Sequence, residues 1–145
     1  MSSTSEAPGS FSEGLHGILL SFPVALFATA LACDLAYLGT AEIQWTNFAS
    51  WSIAGALVFG GLVLLWALVD WLRQLRRPGG GRRFTYLVVV AVLWGVGLVN
   101  AFHHVRDGWS SVGLTGLLLS IASTVLALAA GWMIFSRNGR PEIAR

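Results

Sequence analysis

The chain has 145 residues, of which 55% belong to the AVILMFWYC set and only 11% are charged, and its mean hydropathy is +0.69. A soluble domain carries about 25% charged residues, so an ordinary soluble domain is excluded before any motif is read. The net charge is +2 and every positive residue is Arg; with no long basic run and no aromatic stacking platform, nucleic-acid binding is excluded as well.

Residues 1–13 are rich in Ser and hold Pro8, Glu6 and Glu13, the composition of a short disordered tail. No positive residue precedes Arg73, which argues against a cleaved signal peptide with its basic leading region. The first apolar segment is expected over 15–38, with Asp34 its only charge. Pro23 lies inside it, removes one backbone hydrogen bond and predicts a kink near Leu19–Pro23. Ala30-Leu31-Ala32-Cys33 resembles a lipoprotein cleavage box, but without a basic leader Cys33 is expected to stay unmodified.

A connection over Gly39–Asn47 leads to a second segment over 48–72, ending at Asp70. Arg73–Arg83 forms the next link, turned by Pro78-Gly79-Gly80-Gly81. The third segment is expected over 84–102 and is apolar until Asn100. His103–Ser111 then leads to the fourth, over 112–135, which carries no charge. Each segment meets or approaches the roughly 20 residues that cross a bilayer core. Short links force neighbouring helices antiparallel. The fold class is therefore all-α, an integral membrane four-helix up-down-up-down bundle over residues 14–136, followed by a basic cytoplasmic tail at 137–145.

Eight of the nine Arg lie in the second link and the C-terminal tail, leaving Arg106 opposite. The positive-inside rule then places both termini in the cytoplasm of a bacterial inner membrane. Trp45, Trp51 and Trp109 fall at the outer boundary, and Trp71 and Trp132 at the inner one, as aromatic belts do. Helix association in lipid needs small residues that let backbones approach. Candidate packing lines at four-residue spacing are Ala28/Ala32/Ala36, Ala56/Gly60, Ala91/Gly95 and Ser123/Ala127/Gly131; Gly60, Gly95 and Gly131 are the glycines singled out.

Polar residues in membrane spans are the default candidates for function. Asp34, Asn100, His103, His104, Arg106 and Asp107 should collect at the outer face. Asp34 and Arg106 have the charges of an ion pair. His103, His104 and Asp107 are the right residue types for copper or zinc, although adjacent histidines on a helix diverge by about 100°. A haem held by His16 and the later pair within one subunit fails on depth, because about 30 Å of hydrocarbon separates them. The middle of the spans holds only Thr29, Ser120, Ser123, Thr124 and glycines, with no ionisable group for a proton relay.

The chain resembles the "domain of unknown function 2231" family of four-span membrane proteins. The resemblance rests on Leu15-His16 followed by Ser21-Phe22-Pro23-Val24-Ala25-Leu26, the glycine-rich second segment ending at Asp70, Arg106-Asp107-Gly108-Trp109, Leu117-Leu118-Leu119-Ser120 and Gly131-Trp132. Family members often carry a second His just before Phe-Pro; here that place is Ser21, which weakens any ligand role for His16. Relatives joined to Rieske-type iron–sulfur or cytochrome domains imply an association with membrane redox chemistry, though one cysteine cannot build a cluster.

The expected function is a small scaffold or accessory subunit of a membrane complex, with a redox protein or a second copy of the chain as partner. The alternatives are electron transfer through a metal or haem at the outer histidines, and solute transport by an oligomer. No catalytic residues and no resident cofactor are expected, since the links are too short to wall a catalytic pocket.

Overall fold

The computed structural model describes residues 11–75, 81–105 and 113–136. They form four helices: α1 (Phe11–Thr40), α2 (Ile43–Gln74), α3 (Gly81–Val105) and α4 (Leu114–Phe135). All four are long and apolar enough to cross a membrane. At 1.5 Å per residue, the 30 residues of α1 and 32 of α2 span about 45 and 48 Å, well past a hydrocarbon core of about 30 Å. α1 packs on α2 and α4, and α3 packs on the same two. The bundle is thus square in section, with α1 and α3 parallel across one diagonal.

The first two helices run further than the sequence suggests. The expected connection over residues 39–47 is mostly helical, and the chain reverses at Ala41 and Glu42. Ala41 takes a left-handed conformation with φ 56, and its N–H caps the Tyr37 carbonyl at 2.7 Å. That conformation is normally given to glycine at a helix end. Holding it with a Cβ costs roughly 1 kcal/mol, offset by two long helices packed along their length. α1 continues through Pro23, which is buried.

The buried positions repeat in alternating steps of three and four. In α1 they include His16, Leu20, Pro23, Phe27, Ala30 and Asp34. In α3 they include Tyr86, Val90, Leu93, Gly97 and Asn100, with His104 one turn further on. In α2 they are Thr46, Ala49, Ile53, Ala56, Gly60, Val63 and Ala67. A 3.5-residue period keeps one seam of each helix turned inward, as in coiled coils. The α1 and α3 series lie in register at an offset of 70 residues. His16 bonds Tyr86 and Asp34 bonds His104 at that separation. Between them, Phe27 abuts Gly97 at the same offset.

Small residues make these approaches possible. Gly60 and Gly61 leave room for the Trp94 indole, whose N–H donates to the Leu57 carbonyl at 3.1 Å. Gly131 faces Val24. The line Ser123/Ala127/Gly131 and the pair Ala56/Gly60 are buried as the sequence suggests. Two other expected packing lines are not seams. Ala28 and Ala32 are exposed, Ala91 is exposed, and nothing lies within 4 Å of a Cβ placed on Gly95. Four-residue spacing alone picks a face without saying which face is inward.

Gly97 is the tightest point. A Cβ there would stand 2.7 Å from Phe27 Cζ and 3.2 Å from Leu57 Cδ2. Overpacking of a well-filled core costs about 1–3 kcal/mol. Gly97→Ala should lower the thermal unfolding midpoint in detergent, and adding Phe27→Leu should restore most of the loss. A Gly97→Ala protein as stable as the parent would show that Phe27 is not wedged there.

Candidate functional site

Asp34, Asn100, His104 and Ser120 come together inside the bundle. Asp34, Asn100 and Ser120 are fully buried, and the His104 side chain is 1% exposed. Three helices supply them. Asp34 stands six residues before the end of α1, and Ser120 six residues into α4. Asn100 and His104 are one turn apart on α3, hence on one face.

Their hydrogen bonds close a ring. The Asn100 amide Nδ2 donates to Ser120 Oγ at 3.0 Å. Ser120 Oγ donates to Asp34 Oδ2 in a short bond. Asp34 Oδ1 and His104 Nε2 lie 3.0 Å apart. His104 Nδ1 lies 3.0 Å from the Asn100 carbonyl oxygen. A carbonyl only accepts, so Nδ1 carries hydrogen. One further proton then belongs to the Asp34–His104 contact. Placed on Nε2, it makes an imidazolium–carboxylate pair; placed on Oδ1, it makes two neutral groups. Both forms have zero net charge, which suits a group removed from water. The Asn100 Oδ1 atom is buried with no hydrogen-bond partner among the described residues.

The order of the ring limits its chemistry. In a hydrolytic triad the serine gives its proton to the imidazole. Ser120 gives it to the carboxylate, so His104 does not activate it. His104 also has both nitrogens engaged, leaving no lone pair for a metal. His103 is the other member of the expected metal pair, and the two rings stand 6.3 Å apart at 63°. Asp107 and Arg106 lie outside the described residues. Among the described residues no group of three or more His, Cys, Asp or Glu is placed to hold a metal ion. Among the described residues Asp34 is partnered by His104, from the opposite corner of the bundle, and by Ser120; the expected pair with Arg106 involves a residue outside them.

His16 occupies the other end of the α1–α3 diagonal. Its Nε2 hydrogen-bonds Tyr86 Oη at 2.8 Å, and its ring lies 5.5 Å from that of Trp66. Eighteen residues of α1 separate it from Asp34, about 27 Å of helix. The two histidine sites are thus at opposite ends, as the depth argument requires. Asp70, near His16, is held by Arg83, whose Nη1 lies 2.8 Å from both carboxylate oxygens. That pair is partly exposed and is worth less than about 1 kcal/mol.

Ser120 and Tyr86 escaped the sequence reading. A fourth segment beginning at 112 puts Ser120 near the midplane; α4 begins at Leu114, which moves Ser120 toward the end where Asp34 lies. The usable signal was phase: Gly116, Ser120, Ser123 and Ala127 form an alternating four-three-four seam.

A four-helix membrane bundle fastened by a buried polar ring is the class of protein that this geometry defines. Residues 12–133 match the family described as "Predicted membrane protein (DUF2231)", and the chain belongs to that family. No curated protein and no solved structure matches it.

Breaking the ring on one side strands the rest. Removing one partner of a buried charged pair costs about 3–5 kcal/mol, whereas replacing both by apolar groups comes close to neutral. Asp34→Ala should therefore unfold at markedly lower temperature in detergent. The double variant Asp34→Leu with His104→Leu should recover most of that loss. Additive losses in the double variant would mean that the two side chains are not coupled.

Proposed function

We propose that this chain is a small structural subunit of a membrane complex, a scaffold or accessory component with no catalysis of its own. The observation that carries the reading is the use of the polar side chains. Asp34, Asn100, His104 and Ser120 bond to one another in a closed ring, with both carboxylate oxygens and both imidazole nitrogens engaged inside it. Such a ring fixes the register of α1, α3 and α4 and presents no activated nucleophile. The commitment of both His104 nitrogens favours this role over a metal- or haem-linked electron carrier. The outward faces, by contrast, are apolar along every helix, available to lipid, to a second copy or to a larger membrane partner.

The proposed setting is a bacterial inner membrane with both termini cytoplasmic. Arg73, Arg82 and Arg83 gather at the end where His16 lies, as cytoplasmic residues do. A redox protein is the partner class that the family resemblance suggests.

Protein purified from native membranes in mild detergent should be colourless, free of stoichiometric metal and accompanied by another membrane protein in fixed ratio. A stoichiometric haem or copper spectrum lost on His104→Ala would replace this reading with electron transfer. Solute flux in vesicles that is abolished by Asp34→Asn would replace it with transport. A C-terminal alkaline phosphatase fusion should be inactive; an active one would invert the proposed orientation.

A further inference from the structure

The outer surface between α1 and α2 holds a cleft of about 570 Å³ near the end where His16 lies, inside the roughly 300–1,000 Å³ range of ligand pockets. Its walls are Leu19 on α1 and Leu62, Leu65 and Val69 on α2, with Trp66 among them. Leu62, Leu65 and Val69 project outward and remain exposed. Their spacing of three and four keeps them on one helix face, so they form an apolar strip along the helix axis. In a membrane protein such a strip faces acyl chains.

The mouth of the cleft is polar and asymmetric in charge. Asp70 and Arg73 both line it. The two oxygens of Asp70 are taken by Arg83 across the α2–α3 corner, so its negative charge is compensated there. Arg73 is exposed and forms no ion pair among the described residues. The net effect is one uncompensated guanidinium at the top of an apolar trough. A guanidinium offers a planar fork that matches phosphate, and a long Arg stem lets the charge reach the head-group layer while its methylenes lie on apolar surface. Trp66, two turns below Arg73 on the same helix, adds an indole to the apolar wall.

We propose that this cleft is a binding site for one anionic phospholipid, its acyl chain along Leu62, Leu65 and Val69 and its phosphate on Arg73. A trough without a cation would take any lipid. A cation without a trough would hold the head group only through the diffuse attraction of a charged surface. The two together select an anionic lipid over a zwitterionic one, and the site is distinct from the buried ring at the other end of the bundle.

The test uses the full-length chain in detergent, titrated with phosphatidylglycerol or with phosphatidylcholine and read by native mass spectrometry. One phosphatidylglycerol should be retained per chain in preference to phosphatidylcholine. Arg73→Gln should weaken phosphatidylglycerol about fivefold, the loss expected for one basic residue at a lipid surface, and leave phosphatidylcholine unchanged. Leu65→Trp, which fills the trough at a lipid-facing position, should reduce retention of both lipids. Arg82→Gln, an exposed cation that does not line the cleft, should keep the preference. Equal retention of the two lipids by the parent protein would overturn the proposal. So would a preference that survives Arg73→Gln, or one that Arg82→Gln removes to the same extent.

Discussion

A carboxylate inside a membrane bundle has no water to turn to, so its partners must come from the protein. Asp34 meets that demand with Ser120 on one oxygen and His104 on the other. Asn100 then ties the serine and the imidazole to each other through its side chain and its carbonyl. Interhelical hydrogen bonds in lipid are worth only about 0.6 kcal/mol on average. The strength of the ring lies in the penalty for opening it. Any sliding of α1, α3 or α4 by one turn leaves a buried polar group stranded, which makes the arrangement a register lock.

The apolar packing follows from the same constraint. Lipid is as apolar as Leu, so burial of Leu does not draw these helices together. Close approach does, and the approach is tightest where glycine meets an aromatic ring: Gly97 under Phe27, Gly60 and Gly61 under Trp94. The Trp94 N–H and the Thr124 hydroxyl each reach across to a backbone carbonyl of a neighbouring helix, at Leu57 and Phe27. Backbones that lie close enough for such bonds also gain dispersion contacts along their whole length. The polar ring sets the register, and the glycine–aromatic contacts set the separation.

The four spans were legible because apolar length is a strong signal, and the family resemblance was legible from short motifs in the first and fourth segments. The helix ends were not. Residues 39–47 contain Gly39, Thr40, Glu42 and Asn47, a loop-like composition, yet the turn needs only Ala41 and Glu42. Tertiary packing along α1 and α2 overrides local preference there. Asp34, Asn100 and His104 were recognisable as an outer polar set from hydropathy alone. Their mutual order was not, because it depends on which helices share a diagonal. Ala28/Ala32/Ala36 and Ala91/Gly95 misled for a related reason: small residues also face lipid, and spacing carries no sign for inward. The alternating three-four phase of large and small residues together does carry that sign, as Leu20, Pro23, Phe27, Ala30 and Asp34 illustrate.

The ring also has a history in time. Ser120 lies 86 residues after Asp34 in the chain, and a ribosome adding about 5–20 residues per second needs roughly 4–17 s to cover that distance. His104 follows Asp34 by 70 residues and is made first, so the carboxylate gains its imidazole partner before its serine. Completion of α4 is thus the event that closes the ring, since Ser120 alone joins Asp34 to the Asn100 side chain.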